Sequence, residues 1–307
     1  MYIIEKRRLI FVGLMLIATS IIILLQSCNQ SQVDNLPEPI KKKLEEIEVQ
    51  GKTLLTYRFL SMDSLRLLYK NKVLFSKYSS LIYALNKVDE QHLFRLDSVL
   101  LPDTIVDELI FYSPFQKQIK FLSPVRKLIL FYYPLQSFAA YSNGRLIRWG
   151  PVSMGKKSTP TPAGLYFTNW KAKRTVSTVN DEWIMDWYFN LENQLGISMH
   201  EYDLPGYPAS HSCIRMLESD AIWFYEWADQ WTLTKDDRIA SFGTPVVVFG
   251  EFPDLKVKPW LQLNNSKELI QVADSTFGYE IKKYSTIILE RQSWNDSIHS
   301  QISLSKK

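Results

Sequence analysis

Between positions 127 and 250 the chain alternates short apolar runs with turn-forming residues, which is the pattern of a β-rich domain. The predicted strands cover residues 128–133, 137–141, 145–153, 165–168, 196–200 and 244–249. The dipeptide Asn143-Gly144 is typical of a tight hairpin turn, so the second and third strands are expected to pair. Apolar residues recur at helical spacing between 217 and 231, which predicts a helix. The fold class is therefore α+β, with a mostly-β domain over residues 127–250.

Two further regions flank this domain. Residues 53–126 show helical apolar spacing and are predicted to form a helical N-terminal accessory region. Part of it, residues 85–102, resembles the end of a LysM peptidoglycan-binding module; the alternative is a helical packing region that belongs to this protein. Residues 251–307 form a C-terminal extension, with a short helix predicted over 266–273 and a polar, loose end.

The first 27 residues have the pattern of an export signal, because basic residues at positions 6–8 precede an apolar run over 9–25. The following Leu25-Gln26-Ser27-Cys28 resembles the lipobox of bacterial lipoproteins, in which the cysteine is lipidated and becomes the first mature residue. An uncleaved membrane anchor is the alternative, although about 17 apolar residues is the short limit for a membrane span. Either way the basic residues stay inside, so the rest of the chain is expected at the periplasmic face of a bacterial membrane. Residues 29–52 are expected to be a tether.

Composition and charge exclude several classes of function. The chain has 307 residues, 46% of them hydrophobic, which is enough for a sizeable core. Its net charge of +4 is small and spread along the chain, which does not indicate nucleic acid as a partner. The sequence contains no phosphate loop, dinucleotide fingerprint or zinc-finger spacing, so no cofactor is expected. Protein partners are not identifiable from the sequence. Two cysteines are too few for a disulfide framework.

The candidate chemistry lies between Met199 and Met216, where Cys213 occurs together with His200 and His211. A cysteine is a nucleophile only as its thiolate, so it needs a nearby base or positive charge, and both histidines are candidates. A lone cysteine is more often a small buried apolar residue, and a lone histidine more often structural. The motif Ser-His-Ser-Cys-Ile-Arg after a Pro-Gly-Tyr-Pro turn favours a catalytic Cys213. The local side chains are too few for a closed four-ligand zinc site, so no metal is expected.

The order of these parts resembles the L,D-transpeptidase catalytic domain, the YkuD family, over residues 127–250. The resemblance rests on Asn143-Gly144, on Thr161-Pro162-Ala163-Gly164, on His200 and, most specifically, on Ser210-His211-Ser212-Cys213-Ile214-Arg215-Met216. The family usually has glycine where this chain has Ser212. Since glycine permits a backbone conformation and a close approach that serine restricts, the shape of the oxyanion pocket is in question here.

The resemblance implies a cysteine acyltransferase that acts on peptidoglycan stem peptides. Cys213 would attack the L,D peptide bond of a tetrapeptide stem and release D-alanine, leaving a thioester that an acceptor amine resolves into a cross-link. His200 would be the general base, oriented by a backbone carbonyl. Backbone amides near Ser212 and Cys213 would hold the oxyanion. His211 would shape the loop or stabilise the thiolate.

The substrate-binding candidates are Arg215, Ser210, Tyr202 and Tyr207. The guanidinium of Arg215 can offer a fork of donors to a substrate carboxylate or carbonyl, and a structural salt bridge or carbonyl clamp is the alternative. The two tyrosines would line the cleft, with core packing as the alternative.

Two other functions stay open on the sequence alone. One is a catalytically impaired envelope lipoprotein that binds peptidoglycan, which the serine at position 212 favours and the presence of Cys213 and His200 disfavours. The other is a cysteine peptidase of another fold, although in the papain-like type the cysteine precedes the histidine, which is the opposite order.

Overall fold

A computed structural model describes residues 55–106, 108–177 and 184–305. The predicted signal segment 1–27, Cys28 and the tether 29–52 lie outside the described residues, so these remain predictions. The strands are β1 Tyr57–Ser61, β2 Ser98–Pro102, β3 Leu128–Tyr132, β4 Ser137–Ser142, β5 Arg145–Ser153, β6 Gly164–Phe167, β7 Lys171–Val176, β8 Ile184–Glu192, β9 Ile197–Glu201, β10 Ile214–Met216, β11 Thr232–Leu233, β12 Ile239–Ser241 and β13 Pro245–Phe249. The α-helices are α1 Met62–Lys70, α2 Lys72–Asn86, α3 Glu90–Leu93, α4 Glu218–Trp227, α5 Asp274–Glu280 and α6 Ser285–Ser305.

The centre of the fold is a 9-stranded sheet in the order β6-β13-β3-β4-β5-β10-β9-β8-β7. Two neighbouring pairs are parallel, β13 with β3 and β10 with β9, and the other pairs are antiparallel. Each strand predicted from the sequence is present to within two residues, and α4 lies inside the predicted helix 217–231. The α+β fold class is confirmed.

The sheet separates two apolar cores, because the central strands are buried on both faces. In β3, Leu128 and Leu130 enter the first core, while Ile129 and Phe131 enter the second. The first core is shared with α2, α5 and α6 through residues such as Leu85, and the second is closed by α4. A strand buried on both faces reads as a continuous apolar run, which is how β3 appears in the sequence.

The hairpin of β7 and β8 lies where the sequence shows no regular alternation. Trp187 and Phe189 pack against the second core, whereas Tyr188 lies on the other face of β8. Aromatic residues on both faces remove the apolar–polar contrast that identifies a strand. This hairpin forms the edge of the sheet next to β9.

The accessory region contains the predicted helices, and it also contains a strand pair that the sequence analysis did not predict. Strands β1 and β2 pair antiparallel. The helices α1 and α2 lie between these two strands along the chain. Ser61 and Asn71 cap the two helices, their side-chain oxygens accepting the backbone N–H groups of Ser64 and Leu74. The sequence did not predict these short strands, because β1 is mostly exposed and β2 is mostly buried. Neither strand therefore shows a clear alternation of apolar and polar residues. The LysM-like interpretation of this region remains a prediction.

The C-terminal extension differs from its prediction in two respects. Residues 266–273 are not helical: the chain turns at 264–268, where the side chain of Asn264 accepts the backbone N–H groups of Ser266 and Glu268, and residues 270–273 have no regular secondary structure. The final segment is a long helix, α6, which is held by an ion pair between Arg126 and Asp296 at 2.7 Å. Within the ranges described, no helix is both long enough and apolar enough to cross a membrane.

Candidate active site

The predicted nucleophile and base lie on one face of the sheet. Strands β9 and β10 run parallel with Met199 opposite Ile214 and His200 opposite Arg215. Since side chains alternate between faces along a strand, Met199 and Ile214 enter the second core, and His200 and Arg215 lie on the other face. Cys213 immediately precedes β10 and shares this outer face.

The thiol of Cys213 is held between a hydroxyl and a carbonyl. The Oγ of Ser198 donates a hydrogen bond to Cys213 Sγ at 3.2 Å, and Sγ is 3.5 Å from the carbonyl oxygen of Gly196, to which the thiol can donate. Burial raises the pKa of the thiol, while hydrogen bonds from Ser198 and the charge of Arg215 act in the opposite direction. The thiol is therefore protonated at rest, and a base must remove its proton before attack.

His200 has the geometry of a neutral base. Its ring is only 5% exposed, and Nδ1 lies 2.7 Å from the carbonyl oxygen of Glu201. A carbonyl can only accept, so this contact assigns the proton to Nδ1 and leaves Nε2 as the acceptor. Burial lowers the pKa of His200 to about 4, and the charge of Arg215 contributes in the same direction. Nε2 has no hydrogen-bond partner among the residues that the structure describes.

A β-bulge adds Tyr188 to this face. The register of β8 against β9 shifts between Asp186 and Phe189, so two residues of β8 lie opposite His200, and Trp187 has a φ of +52°. The ring of Tyr188 stacks on the imidazole of His200 with centroids 6.4 Å apart. Its hydroxyl accepts a hydrogen bond from Asn190 Nδ2 at 3.0 Å. The sequence motifs point to neither residue, nor to Ser198.

Ser210 lies beneath the loop that carries the cysteine. It is 1% exposed, its hydroxyl donates to the carbonyl oxygen of Cys213, and its backbone bonds to Met154 and Lys156. These contacts make Ser210 a clamp of the loop. The substrate contact predicted for Ser210 has no support in the structure, because the side chain offers no accessible surface.

Ser212 adopts the conformation that glycine would favour, with a φ of +77°. The Oγ1 of Thr161 donates to the carbonyl oxygen of Ser212 at 2.9 Å and also accepts the backbone N–H of Gly155 at 3.0 Å. The Thr-Pro-Ala-Gly motif thus supports the cysteine loop from the side. The Ser212 hydroxyl makes only a long contact of 3.4 Å to the carbonyl oxygen of Thr159.

Arg215 lies near Cys213, Tyr202 and Tyr207 on the outer face of the sheet. The guanidinium of Arg215 lies 4.4 Å from the ring centroid of Tyr202, and the edge of Tyr202 meets His200 at 5.9 Å. Within the described part of the chain, Arg215 makes no hydrogen bond and no ion pair, so its donors are available to a ligand. Tyr207 is 48% exposed, which excludes the core packing considered for it.

The His211 side chain is exposed and lies beside Lys156. Its Nε2 lies 2.7 Å from Nζ of Lys156, and this ammonium can donate to the neutral ring. The pKa of His211 is lowered by partial burial first, then by the charges of Lys156 and Arg215. A ring held neutral beside two cations suits loop shaping and a positive rim better than general-base catalysis.

The loop between His200 and Cys213 is anchored by the accessory region. Asp89 Oδ2 accepts the backbone N–H of Leu204 at 2.7 Å, the Asp89 N–H donates back to Leu204 at 3.1 Å, and Val88 pairs with Pro205. In the part of the chain that is described, Asp89, His92 and Asp203 are the group whose ligand atoms lie within 4.8 Å of one another. The carboxylate of Asp89 already accepts from Leu204 and His92, so the cluster is explained as a structural anchor.

Fold and geometry together define a domain with a curled mixed sheet that carries Cys213 and the buried His200 on one face. Residues 126–248 match the family model of YkuD, the L,D-transpeptidase catalytic domain. The resemblance seen in the sequence is thereby confirmed for this segment. No curated protein matches the chain.

Three solved structures illustrate the similarity. An L,D-transpeptidase from Stackebrandtia nassauensis is 23% identical, with 41% of this chain and 57% of that chain covered and a TM-score of 0.34. One from Mycobacterium smegmatis is 20% identical, with coverages of 41% and 59% and a TM-score of 0.33. One from Mycobacterium tuberculosis H37Rv is 20% identical, with coverages of 41% and 58% and a TM-score of 0.32. The chain thus spans less than two thirds of the structures that it matches.

Proposed function

We propose that this protein is a peptidoglycan L,D-transpeptidase with Cys213 as its nucleophile. The observation that carries the proposal is the placement of the Cys213 thiol on the same sheet face as a buried, neutral His200 whose Nε2 is free to accept a proton. The match of residues 126–248 to the catalytic-domain family supports the same reaction. The substrate class is a tetrapeptide stem of peptidoglycan.

In the first half-reaction His200 Nε2 takes the thiol proton as Sγ attacks the carbonyl carbon of the L,D peptide bond. Backbone amides near Ser212 and Cys213 hold the oxyanion of the tetrahedral intermediate. The intermediate collapses with cleavage of the C–N bond, and the leaving amine of D-alanine takes the proton from His200. A thioester between Cys213 and the shortened stem remains.

In the second half-reaction an acceptor amine attacks the thioester carbon and gives its proton to His200. The C–S bond breaks, the thiolate takes that proton back, and a new amide forms. An amine on a second stem gives a cross-link between third-position residues; water, a free D-amino acid or a protein amine would give related products. The unpaired guanidinium of Arg215, stacked on Tyr202, is suited to hold a carboxylate of the stem near the thiol.

The remaining candidate is a catalytically impaired peptidoglycan-binding lipoprotein, and the positive φ of Ser212 is the observation that favours it. Membrane attachment through a lipid on Cys28 completes the proposal and rests on the lipobox pattern alone. Radiolabelled palmitate should be incorporated by the wild-type chain and lost with Cys28→Ala.

The activity is tested with the full chain carrying Cys28→Ala, so that Cys213 is its only thiol. The protein is incubated with a purified tetrapeptide muropeptide, and intact mass and free D-alanine are measured. We expect an acyl adduct with release of D-alanine, abolished by Cys213→Ala and strongly slowed by His200→Gln. Binding of the muropeptide with neither adduct nor D-alanine would refute the enzyme and favour the binding lipoprotein.

A further inference from the structure

Ser198 is the side chain whose hydroxyl touches the sulfur of Cys213, and nothing in the sequence motifs assigns it a role. It lies on β9, two residues before His200, and is completely buried. A hydroxyl buried at this depth must use its proton in a hydrogen bond, since an unsatisfied one is costly. The acceptor that the structure offers is Cys213 Sγ at 3.2 Å.

A connected series of buried polar groups lies beside that hydrogen bond. Asn169 Nδ2 donates to Asn190 Oδ1 at 2.9 Å, and Asn190 Nδ2 donates to the Tyr188 oxygen at 3.0 Å. The Tyr188 hydroxyl also contacts the Ser198 side chain. Because the Asn190 amide already donates to the Tyr188 oxygen, the Ser198 hydroxyl is directed to the sulfur, where the hydrogen bond measures 3.2 Å.

The same series of hydrogen-bonded groups explains why the Ser198–Cys213 hydrogen bond is stable. Asn190 and Ser198 are opposite residues of the antiparallel pair β8–β9, and both are at most 2% exposed. Tyr188 is fixed by the bulge and by its stacking on His200. A preorganised donor of this kind strengthens when the atom that it faces becomes negative, because no solvent reorganises around it.

We propose that Ser198 is a catalytic residue that stabilises the Cys213 thiolate by donating a hydrogen bond to Sγ, with Asn190 and Tyr188 as positioning residues. His200 takes the proton, and Ser198 holds the charge that this leaves on sulfur. The proposal deepens the transpeptidase function and rests on it for the word catalytic, while the hydrogen bond to the thiolate can be measured without any turnover.

The thiol pKa is the readout. In the full chain with Cys28→Ala, the rate of alkylation of Cys213 by iodoacetamide is followed against pH. The charged or titratable groups on the face of the thiol are Arg215, His200 and Tyr188, and all three are unchanged in Ser198→Ala. Loss of one hydrogen bond to a charged acceptor should raise the thiol pKa by about one pH unit. At any pH below the thiol pKa, the thiolate fraction should then fall about tenfold.

Ser137→Ala is the matched control, since Ser137 is an equally buried strand serine whose hydroxyl donates to the carbonyl of Leu135. It should leave the thiol pKa unchanged. In the muropeptide assay, Ser198→Ala should lower the acylation rate about tenfold with little change in KM. If Ser198→Ala is poorly folded, Tyr188→Phe removes the hydroxyl that contacts the Ser198 side chain, so Ser198 is held less firmly against the sulfur and the thiol pKa should rise by a smaller amount.

A folded Ser198→Ala variant that titrates like the parent overturns the proposal, as does an unchanged titration in Tyr188→Phe when Ser198→Ala cannot be folded. A protein with no transpeptidase activity but with the expected shift in alkylation would instead refute the proposed function and retain the thiolate contact.

Discussion

Ser212 holds a backbone conformation that an L-amino acid adopts at a cost, so replacing it with glycine should stabilise the protein. Its φ of +77° brings the Cβ atom close to the following peptide group. The penalty for a side chain in this region is about 1–2 kcal/mol. Glycine also makes the unfolded chain more flexible, which reduces the stability gained by about 0.4–1 kcal/mol. Subtracting the second figure from the first gives an expected net gain for Ser212→Gly of about 0.8 kcal/mol, within limits of about 0 and 1.6 kcal/mol.

The hydroxyl of Ser212 changes this balance little. Its contact with Thr159 is 3.4 Å long, whereas the support from Thr161 reaches the Ser212 carbonyl and is kept in every variant. A gain of this size corresponds to a rise in Tm of about 1–4 °C for a folded unit of this length. Calorimetry on the chain with Cys28→Ala measures it.

Ser212→Ala separates the backbone effect from the loss of the hydroxyl. Alanine keeps the Cβ atom and therefore the strain, so its Tm should equal that of the parent or fall slightly. If the Cβ atom also narrows the oxyanion pocket, only the glycine variant should acylate faster. Equal Tm values for the glycine and alanine variants would refute the strain argument.

Two further outcomes follow from the site. The acid limb of the pH–rate profile for acylation should lie near pH 4 rather than near pH 6.5, because the lowered pKa of His200 keeps the imidazole neutral down to about pH 4. An acid limb between pH 6 and 7 would contradict a buried neutral base. Asp89→Ala removes the anchor of the loop at Leu204, so it should lower the free energy of unfolding by about 2 kcal/mol and raise KM for the stem peptide. Asp97 is exposed, so the control Asp97→Ala should change neither quantity; denaturation and steady-state kinetics measure the two.

The sequence predicted the central sheet well because its strands carry local signals. Strand β3 is a continuous apolar run, and β4 and β5 are joined by an Asn-Gly turn, so no distant information is needed. The hairpin β7–β8 has neither signal, since its aromatic residues face both sides. The turn at 264–268 was missed because the side chain of Asn264, rather than a helix, satisfies the backbone.

The candidate site was predictable where its residues form a motif and hidden where they meet only through pairing. His200, Cys213 and Arg215 stand close in sequence, and the motif around them was sufficient. Ser198 becomes meaningful only through the parallel register that places it beside Cys213, and Tyr188 only through a one-residue bulge. Register is a tertiary property, because a shift of one residue would turn each side chain to the opposite face.

The resting state that emerges is a neutral pair rather than a thiolate–imidazolium pair. Burial raises the pKa of the Cys213 thiol and lowers that of the His200 imidazole, so both shifts disfavour charge separation before substrate arrives. The proton must then move during attack, and the donors already aimed at sulfur determine how much that transfer costs. A site built in this way reacts slowly with electrophiles from solvent at neutral pH, and alkylation of Cys213 should become fast only as the pH approaches the raised pKa of the thiol.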